Sequence, residues 1–132
     1  MSDFNKDAGT FIPLEQGAKF TQTYRTQQQE EIKRDPQKAK TYQLGAFFGS
    51  NKLSHLLSNP DAVGLRIYYG LEENPDGLFE KRFVIVAVDA NGNDLIKTEV
   101  AVGKGDMDDD VLDGGVYCPV QCGIDGPLNS GE

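Results

Sequence analysis

The spacing of apolar residues in the first third of the chain predicts one long helix over residues 13–34. Pro13 suits its first turn, because the missing N–H would have no partner there, and apolar residues recur behind it at helical spacing. The apolar stripe is thin and fades through the polar residues 27–31. We therefore expect the second half of this helix to be solvated or to pack on something outside the chain. The pair Asp35-Pro36 ends it, since the residue before a proline resists helical angles.

A second, shorter helix is predicted over residues 51–58, and the sequence Asn-Pro-Asp ends it. Ser50 is expected to act as its N-cap. The buried face is expected to consist of Leu53, Leu56 and Leu57.

From residue 63 onward the apolar period changes to two, which is typical of strands. Three strands are predicted in succession, at 63–70, 79–88 and 95–102. The sequences Asn-Pro-Asp-Gly at 74–77 and Asn-Gly at 91–92 predict the turns between them. Residues 83–88 are apolar at every position, so we expect both faces of the central strand to be covered.

These elements predict an α+β fold, in which two N-terminal helices pack on a three-stranded antiparallel meander. Residues 1–132 are expected to form a single domain, with a loose arm at 1–10 and a long, mostly irregular tail at 103–132. The segment 36–50 fits either a short extended piece or a turn of helix. Its adjacent Phe47 and Phe48 are both expected in the core.

The formal net charge of −8 on 132 residues narrows the range of partners. An acidic surface repels phosphate backbones and anionic lipid, so neither nucleic acid nor a membrane surface is expected to bind. The sequence shows no signal-peptide pattern and no apolar run long enough to span a membrane. We therefore expect a cytoplasmic protein with reduced thiols.

A run of aspartates at 106–113, flanked by glycines, raises the question of a calcium site. An EF-hand loop starting at Asp106 fails, because Val111 replaces the required glycine and Tyr117 replaces the required glutamate. A loop starting at Asp89 fails at the same two positions, and no helices flank it. We therefore predict a solvated loop at 106–113 rather than a specific calcium site.

The two cysteines, Cys118 and Cys122, are four residues apart. Zinc takes four ligands, so this pair with His55 and a carboxylate, or one pair from each of two copies, would complete a zinc site. Otherwise His55 is expected at the boundary of the short helix. A disulfide would close a tiny loop with little gain in stability, and the spacing is one residue longer than the C-x-x-C redox motif. Structural thiols are favoured, with a metal-binding or thiol-redox module as the alternative.

A polar patch on the sheet is the second candidate site. Arg66 and Tyr68 share one face of the first strand, and with Arg82 and Glu80 they would line a polar surface, although cross-strand ion pairs explain them equally well. A pocket between the meander and the helices would use Arg66, Tyr68 and Tyr69 to bind a small ligand or substrate. No nucleotide-binding or hydrolase motif occurs, so no catalytic residue is predicted.

The chain resembles a group of small bacterial proteins that carry an L-R-x-Y-x-G strand and a C-terminal Cys-Pro-x-x-Cys-like tail. The matching residues are Leu65, Arg66, Tyr68 and Gly70, then Cys118, Pro119 and Cys122. The similarity spans about residues 11–129. It implies a self-standing bacterial domain, and because the group has no assigned activity it brings no catalytic residue to this chain.

A non-enzymatic role is the function that these patterns favour: a small acidic protein that self-associates or docks on a protein partner. Two features support this prediction, namely the thin apolar stripe of the long helix and a central strand that needs cover on both faces. A homodimer would satisfy both requirements. No cofactor is predicted, apart from the zinc of the alternative module.

Overall fold

The computed structural model describes residues 3–97 and 110–130. In chain order its elements are α1 (Leu14–Arg34), a 3₁₀ helix (Pro36–Thr41), β1 (Gly45–Phe47), α2 (Ser50–Leu57), β2 (Gly64–Glu73), β3 (Phe79–Val88), β4 (Val111–Leu112) and β5 (Val116–Cys118). The combination of helices with antiparallel sheets confirms the predicted α+β class. The predicted bounds of α1, α2 and β3 agree with the observed ones to within one residue.

The three-stranded antiparallel sheet has the order β2-β3-β4. β4 pairs with β3 through Ile85 opposite Leu112 and Val86 opposite Val111. Among the described residues, the third strand of this sheet is Val111–Leu112, in the tail, and the predicted strand at 95–102 is described only over its first three residues. Residues 95–97 are irregular, and 98–102 lie outside the described residues.

The chain divides into two compact units, which we describe separately. The first contains the described parts of Met1–Gly9, Phe48–Gly70 and Arg82–Gly114. Its core is centred on Leu56, Ile85 and Ala87. Around these pack the partly buried Phe48, Leu53, Ala62, Leu65, Leu95 and Leu112. Val86 and Val88 are buried as well, so both faces of β3 are covered as predicted.

The second unit contains Thr10–Phe47, Leu71–Lys81 and the described part of Gly115–Glu132. None of the residues of α1 is buried, which agrees with the thin stripe seen in the sequence. Polar contacts connect α1 to the tail, because the Arg25 guanidinium donates to the carbonyls of Leu128 at 2.9 Å and Ser130 at 3.5 Å. β1 and β5 add a small antiparallel sheet.

The structure corrects three predictions about the short helix and the residues that precede it. Ser50 is the first helical residue, and the cap position is Gly49, without a side-chain cap hydrogen bond. Leu57 is exposed, because one step along a helix from the buried Leu56 turns the side chain by about 100°. Phe47 is also exposed, since adjacent side chains of an extended chain point to opposite sides and only one of the two phenylalanines can reach the core.

Candidate functional site

The polar residues predicted on β2 form a cluster with the turn that follows β3. Arg66 and Tyr68 are two residues apart on the strand, so they share one of its faces. Asp94 accepts a hydrogen bond from Arg66 Nη1 through Oδ1 at 2.5 Å. Its other oxygen, Oδ2, accepts one from the Tyr68 hydroxyl. Arg66 Nη1 also donates to the Gly92 carbonyl at 3.3 Å. The three side chains are thus directed at one another.

The turn over residues 89–93 positions Asp94. Asp89 Oδ1 accepts backbone hydrogen bonds from Asn91 and Asn93, each at 2.9 Å. The Gly92 N–H donates to the Asp89 carbonyl at 3.0 Å. Gly92 has a φ of +84°, a conformation that glycine adopts without strain. The turn predicted from Asn-Gly is therefore present, and an aspartate side chain holds it together.

The N-terminal arm covers this cluster with an aromatic ring. The Arg66 guanidinium carbon lies 5.6 Å from the centroid of the Phe4 ring and 5.9 Å from that of Tyr68, within the range of a cation–π contact. A methyl group at Gly92 would lie 2.5 Å from Cε2 of Phe4. The ring therefore packs directly against the glycine, and the arm that we predicted to be loose is held at Phe4 by contacts with Gly92 and Arg66.

The electrostatics of the cluster are those of an internal ion pair. The side chains of Arg66 and Asp94 are 31% and 24% exposed. The pKa of Arg66 is raised, first by a side-chain hydrogen bond with Tyr68 and then by the hydrogen bond and charge of Asp94, while desolvation opposes the shift. The guanidinium stays charged at every working pH. The arrangement fastens the 89–93 turn to β2.

Tyr69 lies on the opposite face of β2, away from this cluster. Its side chain is 90% exposed, and its ring centroid lies 5.9 Å from that of Phe83. The structure therefore brings Arg66 and Tyr68 together but separates Tyr69 from them. The ligand-binding role of these three residues stays a prediction.

Three clefts in the described part of the chain are lined by other residues. One, of about 290 Å³, lies between the end of α1, the 3₁₀ helix and the tip of the β2–β3 hairpin. Another, of about 220 Å³, is bordered by His55 and Asp110 among others. A third, of about 290 Å³, lies between α1 and the tail. None of the three includes Arg66, Tyr68 or Tyr69 in its lining.

Cys118 and Cys122 are joined by a disulfide where β5 ends. Their Cα atoms are 4.7 Å apart, within the range that a disulfide bridges. A turn makes this approach, with the Gln121 N–H donating to the Tyr117 carbonyl at 3.1 Å. The Asn129 amide group donates to the Cys122 carbonyl at 3.2 Å. The structure thus differs from the favoured interpretation of two structural thiols.

The disulfide bears on the predicted zinc set, since the thiolate is the form of cysteine that binds metal. His55 belongs to the first unit, whereas Cys118 and Cys122 belong to the second. In residues 3–97 and 110–130, no group of three or more histidine, cysteine or acidic side chains is placed to hold a metal ion. The zinc set gains no support from this geometry. Most of the aspartate run, 106–109, lies outside the described residues.

The sequence did not single out Asp94 or Phe4 as members of the site. The polar patch was expected to include Arg82 and Glu80, but Arg82 pairs with Asp113 at 3.3 Å. The positive charge of Arg66 on a strand predicts a carboxylate as its cross-strand partner. Several aspartates and glutamates met that condition, and only the fold selects Asp94.

Comparison with family models, curated proteins and solved structures finds no match to this chain. No helix in the described residues is both long and apolar enough to cross a membrane. The resemblance to bacterial proteins with an L-R-x-Y-x-G strand stays a prediction. The geometry described above is therefore the basis for a functional proposal.

Proposed function

We propose that this protein is a non-enzymatic, self-associating interaction module that buries the exposed apolar side of β2. The observation that carries the proposal is the row formed by Ile67, Tyr69 and Leu71, which are 57%, 90% and 68% exposed. Alternate residues of a strand share a face, so the three side chains form one apolar row. A contiguous apolar surface of this kind is typical of interaction sites.

The position of β2 in its sheet adds a second reason. β2 is ten residues long and, among the described residues, lies at the edge of the three-stranded sheet. An edge strand offers backbone N–H and C=O groups to another strand, and natural proteins shorten or charge such edges to prevent pairing. The middle of β2 has an apolar row instead. Both its edge and its face therefore favour association with another chain.

The polar cluster supports a binding module rather than an enzyme. A catalytic group has to be aimed at the place where charge develops on a substrate. Arg66, Tyr68 and Asp94 are instead directed at one another. Their arrangement stabilises the turn beside β2, and it keeps this part of the strand in a defined shape for association.

Sedimentation velocity of the full chain, from low to high micromolar concentration, tests the proposal. We expect a reversible shift from monomer to dimer as the concentration rises. A chain that stays monomeric at high micromolar concentration contradicts the proposal. The measurement should be made with the disulfide intact, because reduction would change the state of the chain.

Two lysine variants identify the surface. Tyr69→Lys and Phe11→Lys each replace a strongly exposed aromatic side chain and change the charge equally. Tyr69→Lys should raise the dissociation constant of the dimer at least roughly tenfold, as expected when an interface anchor is lost. Phe11→Lys should leave it within about twofold. The reverse result would assign the association to a surface other than β2.

A thiol–disulfide function is a second proposal, supported by the bond between Cys118 and Cys122. A dithiol such as dithiothreitol would supply two electrons and two protons, breaking the S–S bond and leaving two thiols. Titration in dithiothreitol buffers, read by maleimide labelling and mass spectrometry, tests it. Reversible reduction of the folded chain supports this function. A disulfide that is reduced only after the chain unfolds argues against it.

A further inference from the structure

We propose that β2 pairs antiparallel with β2 of a second copy, with Tyr69 on the two-fold axis. This inference rests on the proposed self-association, and it adds the partner strand and its register. Two sheets of three strands would then continue across the interface as one sheet of six. Such strand addition obtains its affinity from backbone hydrogen bonds and its specificity from the side chains that face one another.

The pleat of the strand restricts the possible registers. In an antiparallel pair, side chains directly opposite each other lie on the same face of the sheet. Successive side chains alternate between the two faces of the sheet. Two residues that lie opposite each other must therefore both have odd numbers or both have even numbers, so that their sum is even. Three registers meet this condition near the middle of β2, centred on Tyr68, Tyr69 and Gly70.

The register centred on Tyr69 is self-complementary. Arg66 of one copy lies opposite Glu72 of the other, so each dimer contains two pairs of opposite charge. Ile67 lies opposite Leu71 of the second copy, also twice, and Tyr69 faces its own symmetry mate. The exposed apolar row of one copy thereby continues into that of the other. Opposite charges and apolar pairs are the cross-strand partners that stabilise antiparallel sheets.

The same register also matches side-chain sizes on the face of the sheet that carries Arg66 and Glu72. Tyr68 lies opposite Gly70 of the second copy, where an aromatic ring can cover the backbone of a residue without a side chain. Gly70 is half-buried within its own chain. The sequence from 66 to 72 thus reads as basic, apolar, aromatic, aromatic, glycine, apolar, acidic, which is a complementary series about its centre.

The two neighbouring registers lose these matches. A centre at Tyr68 places Arg66 opposite Gly70 and removes the pairing of opposite charges. A centre at Gly70 places the apolar Ile67 opposite Glu73. Both therefore lose the pairing of Arg66 with Glu72, which among the three registers only the one centred on Tyr69 provides. The one apolar–acidic pair of that register, Leu65 opposite Glu73, lies at the ends of the paired segment.

Arg66 can keep its internal ion pair in this arrangement. Its Nη1 atom serves both Gly92 and Asp94, and a guanidinium has five N–H donors. The side chain is 31% exposed, so part of it reaches the surface. Glu72 of the second copy would then add a further carboxylate to a group that stays positively charged.

Two charge variants of the full chain test the register. Glu72→Arg places like charges opposite each other at both Arg66 positions, and it should raise the dissociation constant about tenfold. Glu73→Arg makes the same change of charge one residue away, opposite Leu65, and should change it less than about twofold. Equal weakening by both variants, in a wild-type chain that does dimerise, overturns the register and leaves self-association standing. A wild-type chain that is monomeric at high micromolar concentration removes both proposals.

Cross-linking gives a readout that does not depend on affinity. In a chain carrying Cys118→Ser and Cys122→Ser, single cysteines are placed at 68, 69 or 70 and oxidised with diamide, which takes up the two electrons and two protons released when the bond forms. Tyr69→Cys should give a disulfide-linked dimer, because residue 69 faces itself. Faster linking by Tyr68→Cys or Gly70→Cys overturns the register in favour of the neighbouring one.

Discussion

The two units of this chain are built in different ways. Every buried apolar residue in the described part of the chain lies in the first unit, on α2 or β3: Leu56, Ile85, Val86, Ala87 and Val88. The second unit contains the longest element, α1, yet none of its described residues is buried. The length of an element therefore does not indicate where the core lies, because burial depends on what packs against it.

The difference follows from the apolar patterns of the two elements. Residues 83–88 of β3 are apolar without interruption, and such a run is stable only when both faces are covered. α1 has a narrow stripe, with Phe20 exposed. Burial of apolar side chains therefore stabilises the first unit, whereas hydrogen bonds, a two-stranded sheet and a disulfide stabilise the second.

The largest expected effect is the loss of stability when a buried side chain is removed from the first unit, compared with an exposed one from the second. Ile85→Ala should lower the free energy of unfolding by about 3 kcal/mol, because it removes buried methyl groups and leaves a cavity in the first unit. Phe20→Ala removes a larger side chain from the exposed face of α1 and should cost less than about 0.5 kcal/mol. Urea unfolding followed by circular dichroism measures both. Equal losses would show that α1 is covered by packing of similar quality.

The disulfide should matter mainly in the second unit. Replacing both Cys118 and Cys122 by serine removes a constraint on the unfolded chain worth up to about 2 kcal/mol for so small a loop. Hydrogen exchange read by mass spectrometry should become faster at Gly45–Phe47 and Val116–Cys118. Exchange in the central residues of β3 should stay unchanged. Faster exchange in both regions would contradict the separation of the two units.

The smallest expected effect is the difference in stability between glycine-to-alanine substitutions in the two hairpin turns. Gly92 and Gly77 have similar φ values, +84° and +81°, so alanine meets the same backbone cost at both positions. Only a methyl group at Gly92 collides with Phe4, and we expect Gly92→Ala to cost about 1 kcal/mol more. Thermal unfolding measures the difference. In a Phe4→Ala chain the extra cost should disappear, and its persistence would show that the ring is not the cause.

Local rules of the sequence predict only part of the candidate site. Arg66 and Tyr68 share a face because they are two residues apart on a strand, which is a local rule that the sequence displays. The separation of Tyr69 follows from the same rule. Asp94 is 28 residues from Arg66, and the sequence contains many other carboxylates. Choosing among them requires the path of the chain after β3, which no local pattern contains.

Local sequence patterns are sufficient to predict α1, α2, β3 and the Asn-Gly turn, because helical or strand periodicity and turn chemistry act over a few adjacent residues. Tertiary packing pairs Val111–Leu112 of the tail with β3 in the described part of the chain, brings Asp94 to Arg66, and places Phe48 rather than Phe47 against the core. It also brought Cys118 close enough to Cys122 for a bond. Each of these outcomes depends on which of several chemically similar partners the fold places nearby, and that choice belongs to the whole chain and not to any short segment of it.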